Sequence, residues 1–153
     1  MGKSFPLEPK QVSQVETKYR KIQTAIPVPE SIPVLEKLRT YEPLSMSGQP
    51  PVVWDHAEGV NVYDKYGNKW LDFSAGVLVT NAGHSAPEVI EGIKRVIEKP
   101  LLHNYCFPSE IRATLVEKIA SVSPAPLKKV FLLTTGAEAV ECAFKLARTY
   151  GQK

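Results

Sequence analysis

The sequence predicts an α/β fold, and it does so through three observations. The apolar run Val130-Phe131-Leu132-Leu133 passes through Thr134-Thr135-Gly136 into a helix-forming segment beginning near Ala137-Glu138. Three short β-rich runs, Val52-Val53-Trp54, Val60-Asn61-Val62-Tyr63 and Lys69-Trp70-Leu71-Asp72-Phe73, follow one another closely. Two stretches with apolar residues at helical spacing separate these features.

Taken in order, the elements begin with an arm. Eight of the 13 prolines fall in the first 51 residues, so no long regular element fits there. Residues 12–25 are polar with spaced apolar positions and read as a short helix. Ser31 to Tyr41 is a second helix, with Val34, Leu35 and Leu38 on one face. Together with Val28 and Ile32 these residues form an apolar set with no evident core of its own. The three β-rich runs predict a small antiparallel sheet, with Asp64 to Asn68 as the turn between the last two.

Ser85 to Lys99 predicts a helix with Ser85 and Glu88 as a capping box and Pro87 in the first turn. Its stripe is Val89, Ile93, Val96 and Ile97, and Pro100 stops it. A further helix starts near Ser109, buries Ile111, Leu115, Ile119 and Val122, and ends at Ser123-Pro124-Ala125-Pro126. The run from Val130 to Leu133 then predicts a strand covered on both faces. The chain thus divides into an arm (1–51), a small α/β segment (52–108) and a final segment (109–153).

Composition narrows the class. Content of 43% hydrophobic and 23% charged residues is ordinary for a globular protein. The net charge of +3 comes from scattered lysines and arginines, so nucleic acid is not an expected partner. No apolar run is long enough to cross a bilayer, and Met1 to Pro6 lacks a signal peptide's apolar stretch. The two cysteines, Cys106 and Cys142, read as reduced thiols, and the expected location is cytoplasmic.

The turn at Thr134-Thr135-Gly136 is where chemistry is expected. Glycine lets backbone approach a ligand closely, and the unpaired amides at a helix start carry about half a positive charge. Such a terminus is a ready phosphate site; the bland alternative is a cap with nothing bound. Glu138 and Glu141 lie early in the helix and Lys145 and Arg148 late, which complements the helix dipole. No GxGxxG is present, and the turn lacks the Gly-Lys-Ser/Thr of a P-loop.

Thr135-Gly136-Ala137-Glu138-Ala139-Val140-Glu141, followed by Lys145-Leu146-Ala147-Arg148, resembles the phosphate cup of the class III aminotransferases. These pyridoxal-phosphate enzymes include the ornithine, acetylornithine and 4-aminobutyrate transaminases. A second block agrees in the family's order: Gly59 to Asp64, Gly67-Asn68, Leu71 to Gly76, and Asn81-Ala82-Gly83-His84 with Pro87. The resemblance covers about Val52 to Tyr150.

It implies the N-terminal part of the pyridoxal-phosphate-dependent transferase fold of type I, with pyridoxal 5'-phosphate as cofactor. The amides of Gly136 and Ala137 would contact the phosphate, with Thr135 beside them. Val77 would lie against the aliphatic part of the substrate, where ornithine transaminase-like sequences carry tyrosine. The implied reaction moves an amino group, often a terminal one, from an amino acid or amine donor to a 2-oxo acid. The implied assembly is a homodimer in which the arm reaches the partner subunit.

In that family the Schiff-base lysine lies downstream of the cup, so no catalytic residue is expected within this chain, and Lys145 reads as a solvated or salt-bridging residue. At 153 residues against several hundred, the chain is expected to be an inactive N-terminal fragment. His84 reads as a structural hydrogen-bonding residue; His103 with Cys106 is half a metal pair, and no metal is expected. Two readings from other classes stay open: a non-catalytic interaction module, and a phosphate-ligand binding domain without chemistry.

Overall fold

The computed structural model describes residues 4–99, 101 and 106–152; Pro100 and His103 lie outside the described residues. The chain separates into two units, residues 1–99 and 100–153.

The first unit is organised by a five-stranded antiparallel sheet in the order β1-β2-β5-β4-β3. Its strands are β1 (Val15–Glu16), β2 (Lys21–Ile22), β3 (His56–Glu58), β4 (Asn61–Tyr63) and β5 (Lys69–Leu71). The expected three-stranded sheet is therefore extended by two strands from the arm. Residues 12–25, read from sequence as a helix, form the β1–β2 hairpin instead. Thr17 and Arg20 close its turn, with the Thr17 hydroxyl on both the amide and the carbonyl of Arg20. Local side-chain bonding at Thr17 favours a turn over helix continuation. The first strand falls at His56–Glu58 rather than at Val52-Val53-Trp54.

β4 is the sheet's most enclosed strand, with Val62 paired opposite Trp70. The arm also contributes to the core: Val28 is buried, against the expectation that its apolar residues lack one. Helix α1 (Ile32–Tyr41) forms as predicted.

The turn after β4 is a buried polar hub. The Asp64 carboxylate accepts from the amides of Tyr66 and Asn68 and from Asn68 Nδ2, at 2.7–2.9 Å. Asn68, wholly buried, also donates to Thr24 Oγ1 and accepts from the Gln23 amide. Gly67 stands at φ +87°, a conformation that strains any other residue, and a Cβ there would displace the Gln23 side-chain amide from its place.

Helix α3 (Pro87–Ile97) is shorter at its start than predicted. Ala86 is its N-cap, and Ser85, at φ +53°, donates to the Ala57 carbonyl rather than capping. The capping box fails by one residue: Ser85 lies outside the cap, so Glu88 stands at the second helical position, where it cannot reciprocate. The stripe exists but is exposed at Val89, Ile93 and Ile97.

In the second unit, α4 (Glu110–Val122) and α5 (Gly136–Gly151) form without burying any residue. Ile111, Leu115 and Val122, expected on a buried side, are exposed. Residues 128–133 carry no strand, and Phe131, Leu132 and Leu133 are exposed, against the expected covered strand. A central strand exists only through its neighbours' hydrogen bonds, and none lies beside this run among the described residues.

Candidate cofactor and substrate site

The expected phosphate-binding residues sit at the start of α5, a helix of 16 residues. Thr135 is its N-cap, and its Oγ1 accepts from the Glu138 amide at 3.2 Å. The Glu138 carboxylate returns the bond, accepting from the amides of Thr134 and Thr135 at 3.0 Å each. This capping box fixes the helix start. The motif Thr-x-x-Glu was present in the sequence and is the signal that places it.

The box leaves a defined remainder. It consumes the amides of Thr134, Thr135 and Glu138, and the Gly136 and Ala137 amides make no hydrogen bond among the described residues. Both residues are exposed, and nothing lies within 4 Å of a Cβ built on Gly136. Two free amides at the positive end of a long helix fit a phosphate group. The Thr135 hydroxyl accepts for the cap, which leaves its proton available to donate. Further along, Glu141 pairs with Lys145 at 2.7 Å on the exposed surface, the role read for Lys145 from sequence.

The other expected site residue, Val77, lies in a short irregular element. Element α2 (Ala75–Leu78) has positive φ at all four residues: +50° at Ala75, +60° at Gly76, +62° at Val77 and +66° at Leu78. Its amide bonds run from Leu78 to the Ser74 carbonyl and from Val79 to that of Ala75, at 2.8 and 2.9 Å. It is a single left-handed turn. Left-handed backbone costs about 1–2 kcal/mol per non-glycine residue, or about 3–6 kcal/mol for Ala75, Val77 and Leu78 together. The turn projects apolar side chains, and Val77 is 78% exposed.

Asp72 offsets that cost. Its Oδ1 accepts from the Ser74 amide and hydroxyl at 2.8 and 2.6 Å, and its Oδ2 accepts from the Gly76 amide at 2.7 Å. His84 Nε2 lies 2.7 Å from the same Oδ2. The side chains of Asp72 and His84 are only 5% and 10% exposed. The Ser74 hydroxyl first, then His84, hold the Asp72 carboxyl well below the usual carboxylate range. An ionised carboxylate only accepts, so Nε2 of His84 carries the proton in this pair. His84 is itself anchored by a two-way backbone pairing with Gly59 and by an edge-on contact with Trp54.

Sequence reasoning placed Thr135, Gly136 and Ala137 on one turn, and the structure brings them together. Val77 belongs to the first unit and the cup to the second. Asp72 was read only as part of a motif block; Asp72-Phe73-Ser74 is an Asx-type turn signal that could have marked its role. A cavity of about 550 Å³ lies between α1 and residues 49–54 and holds none of the expected site residues. Among the described residues no cluster of three potential ligands could hold a metal.

An α/β chain with a capped helix start suited to phosphate defines a broad class of phosphate-binding folds. Comparison with known proteins narrows it. A family profile described as aminotransferase class-III matches residues 45–153, and the chain belongs to that family. It is 37% identical over 100 residues to an acetylornithine aminotransferase of Methanopyrus kandleri, covering 65% of this chain and 26% of that protein. It is 37% identical over 110 residues to an ornithine aminotransferase of Staphylococcus carnosus, covering 72% and 26%. It is 38% identical over 100 residues to a probable 4-aminobutyrate aminotransferase of Bacillus subtilis, covering 63% and 22%. The chain spans about a quarter of the length of these relatives.

Proposed function

We propose that this chain serves a pyridoxal-phosphate-dependent transaminase as its phosphate cup and part of its substrate wall. The observation that carries the reading is the pair of unbonded amides at Gly136 and Ala137, set by the Thr135–Glu138 capping box. In this reading both amides and the Thr135 hydroxyl bind the cofactor phosphate and fix its orientation. When bound, pyridoxal phosphate supplies the electron sink through which an amino group is exchanged for a carbonyl oxygen. Glu138 acts in the cap rather than in proton transfer, because both its observed bonds go to backbone amides.

Val77 lines the space for the donor's aliphatic part; a valine in place of tyrosine favours 4-aminobutyrate over ornithine among terminal-amine donors, with a 2-oxo acid as acceptor. Residues 109–153 belong to the cofactor domain, no lysine of residues 1–153 takes the covalent role, and the chain by itself is inactive. The intact protein is a homodimer in which the arm of residues 1–51 reaches the partner subunit. No helix among the described residues is long and apolar enough to cross a membrane. Free Cys106 and Cys142 fit a reducing, cytoplasmic compartment.

The test is turnover by the intact protein. With a terminal-amine donor and a 2-oxo acid, a new amino acid should appear in step with donor loss, and only with pyridoxal phosphate present. Absence of amino transfer across a panel of donors would overturn the reading.

A further inference from the structure

Four consecutive residues in left-handed backbone, one of them a β-branched valine, do not persist without an outside constraint. The constraint is visible. One buried carboxylate, Asp72, takes hydrogen bonds from the residue before the turn and from a residue inside it, Ser74 and Gly76. His84 holds the same oxygen from the far end of the segment, and its backbone is locked to Gly59 on the sheet. The segment from Asp72 to His84 is therefore closed at its base, and what it presents outward is the exposed side chain of Val77.

We propose that Asp72, braced by His84, is a positioning residue that holds residues 75–78 left-handed and thereby sets where Val77 meets the donor. The substrate part of this inference rests on the reading of Val77 given above; the conformational part does not. Neither Asp72 nor His84 touches substrate in this account. They act through the turn, so their loss changes how donors are discriminated rather than the chemistry itself.

Two measurements separate the parts. In the full chain, hydrogen exchange read by mass spectrometry on the peptide covering residues 73–82 reports the turn. Asp72→Asn presents an NH2 group to the Gly76 amide or to His84, and exchange in that peptide should rise at least tenfold while α4 is unchanged. His84→Gln keeps a side-chain donor toward Asp72 and should restore most of the protection that His84→Ala loses. Unchanged exchange in Asp72→Asn, or equal loss in His84→Gln and His84→Ala, overturns the clip.

In the holoenzyme, Val77→Tyr should shift the ratio of kcat/KM between short and long terminal-amine donors, and Asp72→Asn should raise donor KM more than it lowers kcat. The double variant should show less discrimination than Val77→Tyr alone. If Val77→Tyr leaves donor preference untouched, the substrate reading of Val77 fails and the conformational clip still stands on its own measurement. If Asp72→Asn lowers kcat with KM unchanged, the positioning role is overturned.

Discussion

Two turns, one in each unit, are held by opposite means. At Asp64–Asn68 the constraint is buried: a carboxylate and an amide side chain, both enclosed, bond each other and the arm through Gln23 and Thr24. At Thr134–Glu138 the constraint is exposed and wholly local, one threonine and one glutamate bonding amides within four residues. The first turn depends on tertiary packing and unites segments 40 or more positions apart. The second needs nothing but its own sequence, so the start of α5 keeps its shape without help from distant segments. A helix start built from a capping box is portable; a structural hub built from buried polar groups is not.

Removing Asn68 should sharpen that contrast most. Asn68→Ala orphans the Gln23 amide and one oxygen of Asp64, at about 1–3 kcal/mol each, so a total loss of about 2–6 kcal/mol is expected. Denaturant unfolding followed by tryptophan fluorescence measures it, since Trp54 and Trp70 both lie in this unit. A loss below about 1 kcal/mol would mean the hub does not organise the first unit. By comparison, Thr135→Ala should cost about 1 kcal/mol, the usual worth of an N-cap. Its effect should be confined to exchange at the first turn of α5.

The same comparison explains how much was legible in the sequence. The α5 start was readable because its signals are contiguous: Thr135, Gly136 and Glu138 within four residues. Helix α1 and the β4–β5 turn were readable for the same reason. The β1–β2 hairpin was not, because its strands are only two residues long and join the sheet through pairing of Lys21 with Lys69, far along the chain. Nor was the left-handed turn, since Val77 and Leu78 have no local preference for positive φ and obey Asp72 and His84 instead. The strand expected at Val130–Leu133 failed in the opposite direction: its pattern asks for neighbours that no described residue supplies.

Acid should weaken the first unit through Asp72. The folded-state value of Asp72 lies below the ordinary 3.8, so the unfolded chain takes up the proton first. Its stabilisation is complete above about pH 4–5 and is lost as pH falls below that range. Unfolding midpoints at pH 6 and pH 3 should therefore differ less in Asp72→Asn than in the parent. The smallest effect belongs to Glu141→Ala, which removes an exposed i,i+4 pair and should cost about 0.3–0.5 kcal/mol.

The central claim, that the Gly136 and Ala137 amides hold a cofactor phosphate, has a direct test in Gly136→Pro. Proline suits the first helical position, and Thr135 at φ −137° and ψ 160° already has the extended backbone that must precede it. The change deletes one amide that bonds nothing in the protein and leaves the capping box in place. A hydrogen bond to a charged group is worth about 1.5–3 kcal/mol, so affinity of the intact protein for pyridoxal phosphate should fall about 10- to 100-fold. Affinity for pyridoxal, which lacks the phosphate, should stay within about twofold. Equal affinities of parent and variant for pyridoxal phosphate, or an equal loss for both ligands, would contradict the account.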